Sequence, residues 1–128
     1  MTSYFDQFGG HNFFNKFVDD FYQGVANDPI LRPMYPEEDL SAAKNRLLMF
    51  LEQYWGGPTT YSEERGHPRL RMRHAPFSIG FAARDAWLSH MQNALNNQEL
   101  PEELKNTLWT YLSTAADAMV NTRDDDVI

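Results

Sequence analysis

Three observations predict an all-α protein. Only seven of the 128 residues are Val or Ile, and nowhere do apolar and polar residues alternate with the period of two that marks a half-buried strand. Apolar residues recur instead three and four apart in several segments, the spacing of a helix that buries one face. Glycine and proline clusters separate those segments.

The elements follow in order. Phe13, Phe17, Phe21 and Val25 form one i, i+4 row and Phe14, Val18 and Tyr22 the adjacent one, so residues 11–26 read as a helix with a wide aromatic face after a break at Gly9-Gly10. Residues 30–36 are short and bounded by proline, which suits a turn or a tight helical turn. Leu40, Ala43, Leu47, Leu51 and Tyr54 place a second helix, with Asp39 or Ser41 as its N-cap and Gly56-Gly57-Pro58 as its stop. From Gly56 to Gly66 the chain reads as a loop. Pro68 to His74 makes about two helical turns, ended at Ala75-Pro76 because a residue before proline is pushed out of helical geometry. Ile79, Ala83, Ala86, Trp87, Met91, Ala94 and Leu95 give a third long helix, capped by Ser78. Leu104, Leu108, Tyr111, Leu112, Ala115 and Met119 give a fourth, with Pro101 at its first position and acids against its positive end. Residues 1–121 form one domain and 122–128 an acidic tail.

Composition narrows the function. With 42% hydrophobic residues, of which 14% of the chain is aromatic, there is enough apolar surface to fold. The absence of cysteine excludes a disulfide scaffold, a thiolate metal site and a cysteine nucleophile, so any soft-donor ligation falls to His or Met. No apolar stretch approaches the ~18 residues of a membrane span, and nothing resembles a leader, which points to a soluble cytoplasmic protein without membrane insertion. A net charge of −7 argues against nucleic acid, whose binding needs cations to neutralise phosphates. Yet four of the 11 basic residues sit between Arg65 and Arg73, a local reversal of sign that invites an anionic ligand.

The four histidines, His11, His67, His74 and His90, show no metal-site spacing. Arg73-His74, with Arg69 and Arg71 close by, offers what a haem needs: one imidazole for iron and cations for two propionates. A histidine at a helix end can equally be a cap or a surface residue. The phenylalanine stripe reads as core. Tyr22, Tyr35, Tyr54 and Trp87 each carry a donor that must find a partner if buried, and such donors around a cavity would stabilise a polarised, partly anionic ligand. No phosphate loop, Ser/His/Asp order or paired-carboxylate signature is legible.

Phe21-Tyr22, Met34-Tyr35-Pro36, Arg46-Leu47, Met49-Phe50-Leu51, Gln53-Tyr-Trp-Gly-Gly-Pro58, Tyr61-Ser-Glu and Gly66-His-Pro-Arg-Leu-Arg-Met-Arg-His74, followed by Trp87, closely resemble the group II truncated haemoglobins of actinobacterial type, from about Tyr4 to Asn121. The resemblance implies a shortened globin fold, a two-over-two helical sandwich around haem b. It implies that His74 ligates iron, that Tyr22, Tyr35 and Trp87 are the distal donors, and that Ala43 occupies the usual distal-histidine position and leaves a small opening. Leu47 and Phe50 wall the pocket, while Arg46, Tyr61, Arg73 and Phe77 hold the cofactor, the first three at its propionates. The function implied is reversible binding of O2, with CO and NO as further ligands. The alternative is a redox enzyme, a nitric oxide dioxygenase or peroxidase-like protein that relies on an external electron donor. A haem-free interaction module is a third class, and exposed aromatics leave room for a homo-oligomer.

Overall fold

The structure, a computed structural model, describes residues 2–122. Among them are seven α-helices and one 3₁₀ turn, without a strand: α1 (Tyr4–Phe8), α2 (Gly10–Ala26), the 3₁₀ turn (Arg32–Met34), α3 (Ser41–Tyr54), α4 (Thr60–Arg65), α5 (Leu70–His74), α6 (Phe81–Asn96) and α7 (Glu102–Met119). The aromatic rows of α2 become the centre of the core, where Phe14, Phe17, Val18, Phe21 and Val25 are fully removed from solvent. Each such side chain contributes about 1.5–3 kcal/mol of burial. Met91 and Leu95 of α6 and Leu108 and Leu112 of α7 complete it. Helix α2 packs on α3 and on α6, and α6 packs on α7, so the pairs α2–α3 and α6–α7 meet along α2 and α6.

Several boundaries differ from expectation. α1 forms within a segment that carries no helical stripe; Ser3 Oγ accepts from the Asp6 N–H at 3.1 Å, and the Phe5 N–H donates to the Trp55 carbonyl at 2.8 Å, which ties α1 to the end of α3. Gly9 ends it with φ of 122°, a backbone region closed to L side chains. The loop expected over 56–66 contains α4, because Gln53 Oε1 accepts from the Ser62 N–H at 2.9 Å while its Nε2 donates to Ser62 Oγ at 2.7 Å. Asp39 Oδ1 does accept from the Ser41 N–H at 2.9 Å. Ser78, by contrast, is not the cap of α6, which starts after Gly80, and Pro101 sits one position before α7 rather than inside it. The acidic tail 122–128 lies, apart from Thr122, outside the described residues.

Candidate functional site

The basic segment is shaped by its own side chains. Arg69 adopts a left-handed conformation (φ 43°, ψ 55°), the only described non-glycine residue with positive φ, which costs about 1–2 kcal/mol. Arg73 holds this bend closed: its Nε donates to the Pro68 carbonyl at 2.6 Å, and Nη2 to the carbonyls of Arg65 at 2.8 Å and His67 at 3.3 Å. The bend starts α5 and so aims His74. There Nδ1 lies 2.6 Å from the Leu70 carbonyl. A carbonyl can only accept, so the proton resides on Nδ1 and Nε2 keeps its lone pair, the tautomer a metal requires.

His74 lines a cavity of about 430 Å³, within the ~300–1,000 Å³ of typical cofactor pockets. Every site residue that the family resemblance implied lines it: Tyr22, Tyr35 and Trp87; Ala43, Leu47 and Phe50; Arg46, Tyr61, Arg73 and Phe77; and His74; Tyr54, Arg69 and Arg71, which the residue pattern also offered, do not. They arrive from six places in the chain: α2, the end of the 3₁₀ turn, α3, α4, α5 with the loop after it, and α6.

The polar groups have distinct settings. Tyr22 is buried and its hydroxyl donates to the Ala43 carbonyl at 3.3 Å, a long bond for an O–H donor. Its ring meets Tyr35 edge-on, with centroids 5.8 Å apart. Burial, and then the adjacent Tyr35 phenol, pushes Tyr22 far above the ordinary phenol range, and burial likewise raises Tyr35. Both therefore stay protonated, and remain donors, throughout neutral pH. Trp87 packs its ring against Phe21 at 5.6 Å, and its indole N–H makes no hydrogen bond among the described residues.

Four arginines line the cavity and no carboxylate does. Arg46 donates through Nη2 to Glu37 Oε1 at 3.2 Å, so part of its guanidinium is already engaged, and Glu37's own N–H, with Arg46 after it, holds that carboxyl below its usual range against the opposing effect of burial. Arg65 and Arg73 lie over the buried Tyr61 ring, 5.8 and 5.7 Å from its centroid. Arg84 bridges Asp85 and Asp117. Sequence reasoning did not assign Arg65 or Arg84 to the site; Arg84 lies three residues before Trp87 and so shares its helix face, a spacing that could have placed it.

A profile of bacterial-like globins matches residues 3–121. The chain belongs to the bacterial-like globin family, as a group II truncated haemoglobin. It is 43% identical over 112 residues to the group 2 truncated hemoglobin YjbI of Bacillus subtilis, covering 88% of this chain and 84% of that one. Among solved structures, a thermostable hemoglobin from the actinobacterium Thermobifida fusca is 57% identical with a TM-score of 0.92, over 94% of this chain and 98% of that one. The group II truncated hemoglobin of Bacillus anthracis superposes with a TM-score of 0.92 at 37% identity, over 97% and 95% of the two chains. The two-on-two sandwich is thereby the fold of this globin, and membership implies a haem cofactor and small diatomic ligands. The residues fit that group on their own terms: one metal-ready imidazole nitrogen, a largely apolar wall and two arginines, Arg65 and Arg73, that have no carboxylate partner among the described residues suit a flat hydrophobic macrocycle with two anionic arms. No described helix is long and apolar enough to cross a membrane.

Proposed function

We propose that this globin binds O2 reversibly at a haem b whose iron is ligated by His74. When bound, the haem supplies the iron that takes up the diatomic ligand. The protein's part is to hold, shield and polarise. His74 presents Nε2 because the Leu70 carbonyl claims the other nitrogen. Arg73 and Arg46, with Tyr61 beside them and Arg65 and Arg84 in reserve, meet the propionates, and Leu47, Phe50 and Phe77 exclude water. Tyr22, Tyr35 and Trp87 donate to a polarised ligand. The Trp87 N–H makes no hydrogen bond among the described residues, so it can turn to a ligand without breaking one, while the Tyr22 hydroxyl, at a long 3.3 Å from the Ala43 carbonyl, also meets the Tyr35 phenol. At about 1–1.5 kcal/mol per net hydrogen bond, two or three donors slow ligand release by roughly tens- to thousands-fold.

The observation that carries this reading is one cavity that holds both a carbonyl-locked imidazole and three phenol and indole donors. Absorption spectroscopy of the haem-reconstituted wild type and of His74→Ala tests it. The wild type gives a Soret band and a five-coordinate ferrous spectrum, and the variant loses the latter; an unchanged spectrum in the variant removes His74 from the iron. Stopped-flow O2 release that is faster in Trp87→Phe supports the donor set, whereas an unaltered rate refutes Trp87's part in it. Turnover with an external electron donor is a second reading, favoured by the exposed Tyr54 ring, which stacks at 4.0 Å on Tyr111 of the cavity wall.

A further inference from the structure

Among the described residues, most basic side chains outside residues 65–74 are engaged. Lys16, Lys44, Arg46 and Arg84 each pair with a carboxylate, and Arg32 donates to the main-chain carbonyls of Tyr35, Glu37 and Glu38 at 3.1, 2.8 and 2.7 Å. Residues 65–74 themselves contain no acid. Arg65 and Arg73 line the cavity, where the anionic arms of a cofactor account for them. Arg69 and Arg71 do not line it. Both are exposed, and neither meets a carboxylate among the described residues, Glu63 and Glu64 of α4 included.

Their placement works against the isolated chain. Arg69 sits in the left-handed backbone region that glycine or asparagine adopts with less strain. The bend needs that geometry, but nothing in it needs a guanidinium. Four like charges within nine residues also repel one another, in a chain whose 18 Asp and Glu offer many better positions. Strain at an exposed, unpaired cation is understandable where the cation meets something outside the chain. Charge selects that partner. At a net −7 the globin repels an acidic body everywhere except over this segment, so such a body is turned to face it. An extended polyanion or a flat anionic membrane would also lie against the acidic remainder, whereas a compact acidic protein with a small contact face would not. Met72, 57% exposed between Arg71 and Arg73, adds an apolar contact amid the charges, as suits the interfaces below about 1,200 Å² of transient electron-transfer encounters. The location fits as well, since Arg65 and Arg73 of the same segment are cavity wall and O2 binding needs ferrous iron.

We propose that Arg69 and Arg71 dock an acidic one-electron carrier protein against the Arg65–Arg73 side of the cavity, from where it reduces the cofactor. The proposal rests on the haem reading above. The carrier gives up one electron and is oxidised by one, the haem iron passes from ferric to ferrous, and no covalent bond forms or breaks. Arg69 and Arg71 take no part in the transfer itself; they set the face that the carrier presents.

The test uses the haem-loaded protein, an acidic two-iron ferredoxin as the carrier, and photoreduced deazariboflavin as an uncharged reference reductant. A Soret band read first reports haem; its absence refutes the haem reading and this proposal together. With haem present, stopped-flow reduction of the ferric protein by ferredoxin at low ionic strength is about tenfold slower in the double variant Arg69→Asn, Arg71→Gln than in the wild type, while deazariboflavin reduces both at one rate. Asparagine tolerates the left-handed backbone, so the bend before α5 is kept. Added salt slows the wild type toward the variant. Titration calorimetry with oxidised ferredoxin, which transfers no electron, shows weaker binding to the variant. Equal ferredoxin rates in the two proteins overturn the proposal, as does a wild-type rate indifferent to salt, an equal slowing with both reductants, or tighter calorimetric binding of an RNA oligonucleotide or of anionic phospholipid vesicles than of ferredoxin.

Discussion

On α2, Phe14, Phe17, Val18, Phe21 and Val25 see no solvent, whereas none of the five residues of α5 is buried. The first helix is placed by its own apolar surface and needs nothing from a ligand. The second is placed by hydrogen bonds from Arg73 and Asn121 to backbone carbonyls, the latter donating to the Phe77 carbonyl at 2.8 Å and accepting from the Ile79 N–H at 2.8 Å. Such bonds set direction but supply little net stability, about 1 kcal/mol each between neutral groups and somewhat more from a guanidinium. The aromatic half should thus fold without cofactor, while the basic segment owes much of its order to what fills the cavity.

Substitutions in the two regions should separate these roles. Phe17→Ala is expected to cost about 3–5 kcal/mol, because a large ring leaves a void that the packed aromatics cannot close. The lowered urea midpoint should appear with and without haem; a loss confined to the haem-loaded protein would break the distinction. Arg73→Leu should behave in the opposite way. Removing charged donors to three carbonyls is expected to weaken haem retention by about 1.5–3 kcal/mol, read as faster haem transfer to an acceptor globin, with the haem-free midpoint nearly unchanged.

A smaller effect is expected at Gly24, the point where ionic chemistry touches the aromatic helix. A Cβ there would lie 2.3 Å from His90 Nδ1, and His90 Nε2 is 2.6 Å from Asp28 Oδ2. Gly24→Ala must push His90 off its partner, a strain of about 1–3 kcal/mol by thermal or urea unfolding. The smallest effect concerns pH. The hydrogen bond from His90, and after it the N–H groups of Ile30 and Leu31, hold the Asp28 carboxyl below its usual range against the opposing effect of burial. A depressed carboxyl adds stability that is present above its unfolded pKa of about 4 and is lost as pH falls through the folded value. The acid-side fall in urea midpoint should be shallower in Asp28→Asn, whose amide oxygen can still accept from Ile30 and Leu31; an identical pH profile would remove Asp28 from that account.

What was legible in the sequence follows the same division. The rows of α2 and the stripes of α3, α6 and α7 could be read because burial of one helical face writes a period into the chain. Helices α1 and α4 could not. Each is short, and each is fixed by a partner distant in sequence, Trp55 for Phe5 and Gln53 for Ser62. The cavity-lining set was legible almost entirely through family resemblance; from spacing alone, His74 was as good a cap as a ligand, and only the Leu70 carbonyl reveals its tautomer. The engagement of Arg46 with Glu37 and of Arg73 with its own loop is invisible to spacing, since it depends on where the backbone turns.

Ala43 is buried and lines the cavity, and the group that holds the Tyr22 hydroxyl is its main-chain carbonyl, not its side chain. Every amino acid carries that carbonyl. Bulk at position 43 can therefore change while the tyrosine keeps its resting place, which makes the position a dial for the shape of the cavity wall, set apart from the contact that parks the hydroxyl. A lineage or an engineer can reshape the wall by one substitution and move the hydroxyl by another, without either choice undoing the other.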